Sequence, residues 1–301
     1  MVSISFSRRV ALIASASAMM LVAAAPAPAR SILFVGNSFT FGAASPVQRY
    51  RPDRVEDLNG EGVGGVPALF ATFAAEAGLD WTVSLETSSG KDLAYHLANK
   101  RAVIGRPWDV VILQGYSTLD AEHPGDPTRH IAAARALAAL MRTRNPRAEV
   151  DLVSTWSRAD QTYKPTGHWF GKPITRMADD LMAASRQALA GPSAVNAVVA
   201  VGPAWNRAMA EGLADPNPYD GIAFGKVSLW SWDQYHATAE GYYLEALMVF
   251  GTVTRADPRI LDGREQAADD LGLHPDVAHQ LRAIAAAELM AQGVLPGGRT
   301  G

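Results

Sequence analysis

The sequence predicts an α/β three-layer sandwich, a parallel sheet of about five strands between helices with a helical C-terminal extension, and three observations point there. Short apolar runs of strand length recur at Ile32 to Val35, Trp81 to Thr87, Trp108 to Ser117, Glu149 to Thr155 and Ala194 to Val201. Helix-length windows separate them, the alternation that a parallel sheet with crossover helices requires. The first run is apolar on both faces, as in strands covered from both sides, and it ends in glycine and small polar residues. With 301 residues and 48% hydrophobic content, the chain can bury one large core or two small ones.

From the N-terminus, Arg8 and Arg9 precede an apolar stretch, Val10 to Ala25, and the small-residue site Ala27-Pro28-Ala29. Residues 1–30 therefore read as a secretory signal peptide, cleaved near residue 29, and predict a periplasmic or secreted protein. The stretch is short and alanine-rich for an anchor, so no stable membrane insertion is expected after cleavage. Adjacent arginines are compatible with either bacterial export route. There are no cysteines, which excludes disulfides and a lipidated N-terminal cysteine. A net charge of −3 gives no broad basic field, which argues against nucleic acid as a partner. The sequence does not fix an oligomeric state.

The segment Ser31-Ile-Leu-Phe-Val-Gly-Asn-Ser-Phe-Thr-Phe-Gly42 drives the first strand into a polar turn. Gly36 lets the backbone bend with no side chain in the way, and Asn37, Ser38 and Thr40 supply small polar groups where the strand ends. Open α/β sheets keep their chemistry at that edge. A serine there has an exposed hydroxyl and backbone N–H groups beside it that can bind an oxyanion. Asn37 and Thr40 suit shaping the turn and capping the next helix.

Near the other end, Ser231-Trp-Asp-Gln-Tyr-His236 places Asp233 three residues before His236, ahead of a helical run from Tyr242 to Val253. An aspartate at that spacing can accept the imidazole Nδ1–H and leave Nε2 to face a hydroxyl from elsewhere. Serine early, then aspartate and histidine close together, differs from the order in α/β-hydrolases, and no G-x-S-x-G elbow is present.

Together the two ends resemble the SGNH hydrolases, the GDSL-type esterases, with Gly36-Asn-Ser-Phe-Thr40 in place of their Gly-Asp-Ser, as in a bacterial subgroup with the GNSFT motif. The resemblance spans residues 31–255 through three of four blocks and implies a flavodoxin-like catalytic domain, followed by an extension over 256–301. It implies a Ser38–His236–Asp233 triad with no metal or cofactor. Gly90, at the turn after the second strand, stands where the second block provides an oxyanion donor. The third block's asparagine is missing. Gln114, whose amide is a good donor, is the first substitute beside the N–H groups of Ser38 and Gly90, and Ser117 is the second.

Between these blocks, residues 43–65 form a polar, proline-containing loop, either a wall of the site or a decorated surface loop. Helices are predicted over Val66 to Leu79, Lys91 to Lys100, Thr128 to Arg144, Ile174 to Leu189, Ala204 to Leu213 and Pro275 to Gln292. Trp156 to Lys172 is an aromatic loop that could touch sugar or acyl groups or pack on itself. His123, His130 and His168 lack metal-ligand spacing and read as surface or loop residues, while His96 could border the site. The function expected is an exported serine esterase acting on a short acyl group, such as an O-acetyl on a small-molecule or carbohydrate ester. Asn37, Tyr116, Ser117, Trp156 and Trp232 are candidate substrate contacts. An O-acyltransferase with the same triad, or a non-catalytic glycan-binding protein, are the alternatives.

Overall fold

The computed structural model describes residues 1–2, 29–263 and 266–297. The signal-peptide segment therefore lies outside the described residues apart from its two ends. Six strands form one all-parallel sheet: β1 (Arg30–Gly36), β2 (Glu56–Asp57), β3 (Trp81–Thr87), β4 (Val110–Gln114), β5 (Glu149–Ser154) and β6 (Ala197–Ala200), in the order β2-β3-β1-β4-β5-β6. The five strands expected from the sequence are all present. The sixth, β2, is a two-residue edge strand inside the 43–65 loop, too short to carry an alternation signal. Without it the order is the flavodoxin-like one, which reverses direction at β1.

Ten α-helices are present among the described residues: α1 (Gly65–Glu76), α2 (Leu93–Asn99), α3 (Arg101–Ile104), α4 (Thr128–Arg144), α5 (Ala159–Tyr163), α6 (Thr175–Arg186), α7 (Val201–Ala210), α8 (Ala239–Thr254), α9 (Gln266–Leu271) and α10 (Pro275–Ala291). Side chains alternate across β1, so Ile32 and Phe34 join one core with α1, α7, α8 and α10, while Leu33 and Val35 join a second core with α2 and α4. The helix α8 is buried along its length from Gly241 to Val253, which explains why its sequence is apolar all round. It begins at Ala239, before the apolar run, because the Thr238 side chain caps it by accepting from Gly241 N. Leu281, Ile284 and Leu289 of α10 enter the core that holds α8. Among the described residues no helix is long and apolar enough to cross a membrane.

Register fixes where the chemistry can sit. Gly36 pairs with Thr87 across β1 and β3, and Val35 pairs with Leu113 across β1 and β4. The C-terminal ends of these three strands are level, so the turns after Gly36, Thr87 and Gln114 share one edge of the sheet at the point where strand order reverses.

Candidate active site

Gly36 is a steric requirement, because a Cβ there would lie 2.1 Å from Thr40 Oγ1 and 2.9 Å from Gln114 Oε1. The turn beyond it, which carries Ser38, is held on several sides. Asn37 uses both amide hydrogens, donating to Lys91 O at 2.9 Å and Gly115 O at 3.0 Å, while its Oδ1 accepts from Phe39 N at 3.1 Å. One buried side chain thus ties the turns after β1, β3 and β4 together. Asn37 is buried and its amide is fully engaged in bracing the turn, which leaves it no free amide hydrogen for a substrate.

Gln114 also departs from expectation. Its Oε1 accepts from Asn37 N and Thr40 Oγ1, both at 3.0 Å, and its Nε2 donates to Gly115 O. Because Asn37 N is a donor, the oxygen of the amide has to face it, and the nitrogen is turned away toward the β4 turn. The buried Gln114 side chain thus has both amide atoms engaged and supports the Ser38 turn.

Ser38 caps no helix, and its hydroxyl makes no hydrogen bond among the described residues; its carbonyl accepts from Ala43 N at 3.0 Å and from the Tyr242 hydroxyl at 3.3 Å. The backbone N–H groups of Ser38 and Gly90 have no acceptor among the described residues. Gly90 is exposed, with φ +67°, a left-handed conformation that glycine adopts without strain. Beneath its loop, Glu86 is fully buried and bonded to His96 Nδ1 at 2.5 Å and to Lys100 Nζ at 3.2 Å. His96 therefore underlies the site and does not line it.

The Asp233–His236 block is a pinched loop. Ser231 N donates to His236 O at 2.8 Å, and Gln234 takes the left-handed φ of +66°. For a residue other than glycine that conformation costs about 1 kcal/mol, and here it turns Asp233 back on its neighbours. Asp233 Oδ1 accepts the backbone N–H groups of His236 (2.9 Å) and Tyr235 (3.2 Å), and Oδ2 meets His236 Nδ1 at 2.6 Å. Burial raises the Asp233 pKa, but the His236 ring and these N–H groups outweigh it and hold the carboxyl below its ordinary value. For His236 burial is the largest effect and lowers the imidazole pKa, with Arg158 adding to it and Asp233 opposing it. His236 Nε2 is sealed from solvent and has no partner among the described residues.

The block rests on the Ser38 turn. The His236 ring lies 5.4 Å from that of Phe39, the residue after Ser38, and Ser231 Oγ donates to Ala44 O at 2.6 Å. No hydrogen bond joins Ser38 Oγ to Nε2 in this structure.

Of the other expected contacts, Trp232 is 80% exposed beside Asp233 and Tyr116 is half-buried. Trp156 is fully buried, stacked between Phe39 and Trp205 with both centroids at 4.5 Å, so it is core and cannot meet a substrate. Trp169 is likewise buried, with Nε1 bonded to Asp180. His130, expected on the surface, is buried, and desolvation pushes its pKa down to about 4. Among the described residues no group of three histidine or acidic side chains could hold a metal ion. Sequence reading overlooked Arg158 and Asp160. Their signal was modest: a charged pair just past the C-terminal end of β5, the edge where α/β sites form.

No protein-family model and no curated protein matches the sequence. Among solved structures, a DUF4886 family protein from Bacteroides uniformis is similar over 88% of this chain and 96% of its own, at 15% identity and TM-score 0.57. Family 3 carbohydrate esterases from Clostridium thermocellum (17% identity, 76% of this chain and 97% of that one) and Talaromyces cellulolyticus (14%, 75% and 97%) each give a TM-score of 0.47. What the chain shares is a fold: a single all-parallel sheet with flanking helices, of the α/β, SGNH-like kind.

Proposed function

We propose that the protein is a serine esterase in which Ser38, His236 and Asp233 act together. The observation that carries this reading is His236, held at Nδ1 by a half-buried carboxylate and left unbonded at a desolvated Nε2, packed against the turn that presents the Ser38 hydroxyl. A nitrogen in that state gains by accepting a proton from a hydroxyl brought to it.

In this mechanism Nε2 takes the Ser38 proton as Oγ attacks the ester carbonyl carbon, and the carbonyl π electrons move onto oxygen. The free N–H groups of Ser38 and Gly90 stabilise that oxyanion. Collapse breaks the bond to the alcohol, which leaves with the proton from Nε2. Water then repeats the sequence on the acyl-serine, releasing the acid. Asp233 stays ionised throughout and holds the ring.

Trp232 and Tyr116 at the rim suit stacking on a sugar ring, so a short acyl group, such as an acetyl, on a carbohydrate or other small-molecule ester is the proposed substrate. The N-terminal sequence signal supports export to the periplasm or medium. Hydrolysis of 4-nitrophenyl acetate and of an acetylated oligosaccharide tests the reading, and turnover of neither would overturn it.

The third oxyanion donor is proposed to be the Ser117 hydroxyl, since the Gln114 amide is engaged in the turn. Ser117→Ala is expected to lower kcat about a hundredfold at nearly unchanged KM, the usual loss for one such donor. Gln114→Ala is expected to lower the melting temperature as well, because it leaves Asn37 N buried without an acceptor. Thermal melts beside the kinetics separate the two.

The pH dependence rests on the direction of the His236 shift. The neutral ring is the working base, so kcat/KM rises with pH through one ionisation. Burial places it below the ordinary imidazole value of 6.5. A single rise in kcat/KM centred above 6.5, or a fall with rising pH across the acid range, would contradict the role given to His236.

A further inference from the structure

Arg158 lies just beyond β5 and is 15% exposed at its side chain. Its Nε and Nη2 form a fork to Asp160, at 3.0 Å to Oδ1 and 2.7 Å to Oδ2. The face of the guanidinium covers the Tyr235 ring at 4.5 Å, and Tyr235 in turn lies 3.9 Å from the His236 ring. A planar group fixed along one edge and on one face has little freedom left for its remaining nitrogen. That nitrogen, Nη1, donates to Ser117 Oγ at 3.2 Å.

A hydroxyl has one hydrogen and two lone pairs, and a guanidinium can only donate. The contact therefore fixes a Ser117 lone pair on Arg158 and forces the hydroxyl hydrogen to point elsewhere. Ser117 is buried in the turn after β4, which Asn37 clamps to the nucleophile turn through Gly115 O. We infer that Arg158 is a positioning residue that aims the Ser117 hydroxyl hydrogen into the oxyanion site, so that a serine does there what a rigid amide would otherwise do. This role rests on the esterase reading of Ser38 and adds to it the group that orients the third donor.

A double-mutant cycle on kcat for 4-nitrophenyl acetate tests it. Arg158→Met keeps a long, unbranched side chain at the position and removes the donor. Alone it is expected to lower kcat about tenfold with KM nearly unchanged, and Ser117→Ala about a hundredfold. The double variant is expected to match Ser117→Ala within about twofold, because Arg158 has nothing left to orient. A double-variant loss equal to the product of the single losses, or no loss in Arg158→Met, would overturn the inference. A purely structural ion pair would change the melting temperature without this coupling. If Arg158→Met does not fold, Arg158→Lys keeps the charge, loses the fork, and takes its place in the cycle with the same outcomes. Hydrolysis that survives Ser38→Ala would instead overturn the esterase reading and this inference with it. Ser38-dependent hydrolysis with additive losses overturns the role of Arg158 alone.

Discussion

Ser38→Ala is expected to lower kcat for an acetyl ester by about 10⁴-fold or more, while the melting temperature barely changes. The neighbouring hydroxyl of the turn cannot replace it, because Thr40 Oγ1 is committed to Gln114 Oε1. Stability is spared for a separate reason. The Ser38 hydroxyl makes no hydrogen bond among the described residues, and the turn is held by its backbone, by Asn37 and by the Tyr242 hydroxyl on Ser38 O and Ala43 O. Removing one oxygen therefore leaves no buried partner unsatisfied, and a change within about 0.5 kcal/mol is expected. Steady-state kinetics with a thermal melt check both halves.

Asp233→Asn has the next largest expected effect, a fall in kcat of about 10⁴-fold. The asparagine oxygen can still accept from the backbone N–H groups of Tyr235 and His236, so the pinched loop survives. Its amide nitrogen then faces Nδ1 and donates to it, which moves the ring hydrogen to Nε2. An imidazole protonated there cannot take the serine proton. Proton NMR of the imidazole should find the hydrogen on Nδ1 in the wild type and on Nε2 in the variant. An unchanged tautomer with full activity would contradict the role given to Asp233.

How much of the fold and site was legible in the sequence depended on whether the signal was periodic or local. The five longer strands and the principal helices were readable because burial imposes short apolar runs on the strands and a 3.6-residue repeat on the helices. The strand β2 was not, since two residues carry no period. The contact between Asp233 and His236 was readable from residue type and spacing, because a three-residue gap suffices for a carboxylate to reach an imidazole. Gln114 shows the limit of that reasoning. Chemistry allowed its amide to serve as a donor, but which way an amide faces is set by its neighbours, and here Asn37 N claims the oxygen. Trp156 misled for the converse reason, since an aromatic at a strand end can stack on a ligand or on Phe39 and Trp205, and composition does not distinguish them. Arg158 was invisible because its role depends on Ser117, 41 residues earlier in the chain, and on Tyr235 in a third segment.

The central claim is that Ser38 is the nucleophile and that His236 activates it. Treatment with a fluorophosphonate, which forms a stable covalent bond with an activated serine, and peptide mass spectrometry of the product test this most directly. The account predicts a phosphonyl adduct on the peptide containing Ser38, formed in step with loss of hydrolysis, absent in Ser38→Ala and greatly slowed in His236→Ala. Inactivation with the adduct on another residue, or an active enzyme in which Ser38 takes up no label, would contradict it.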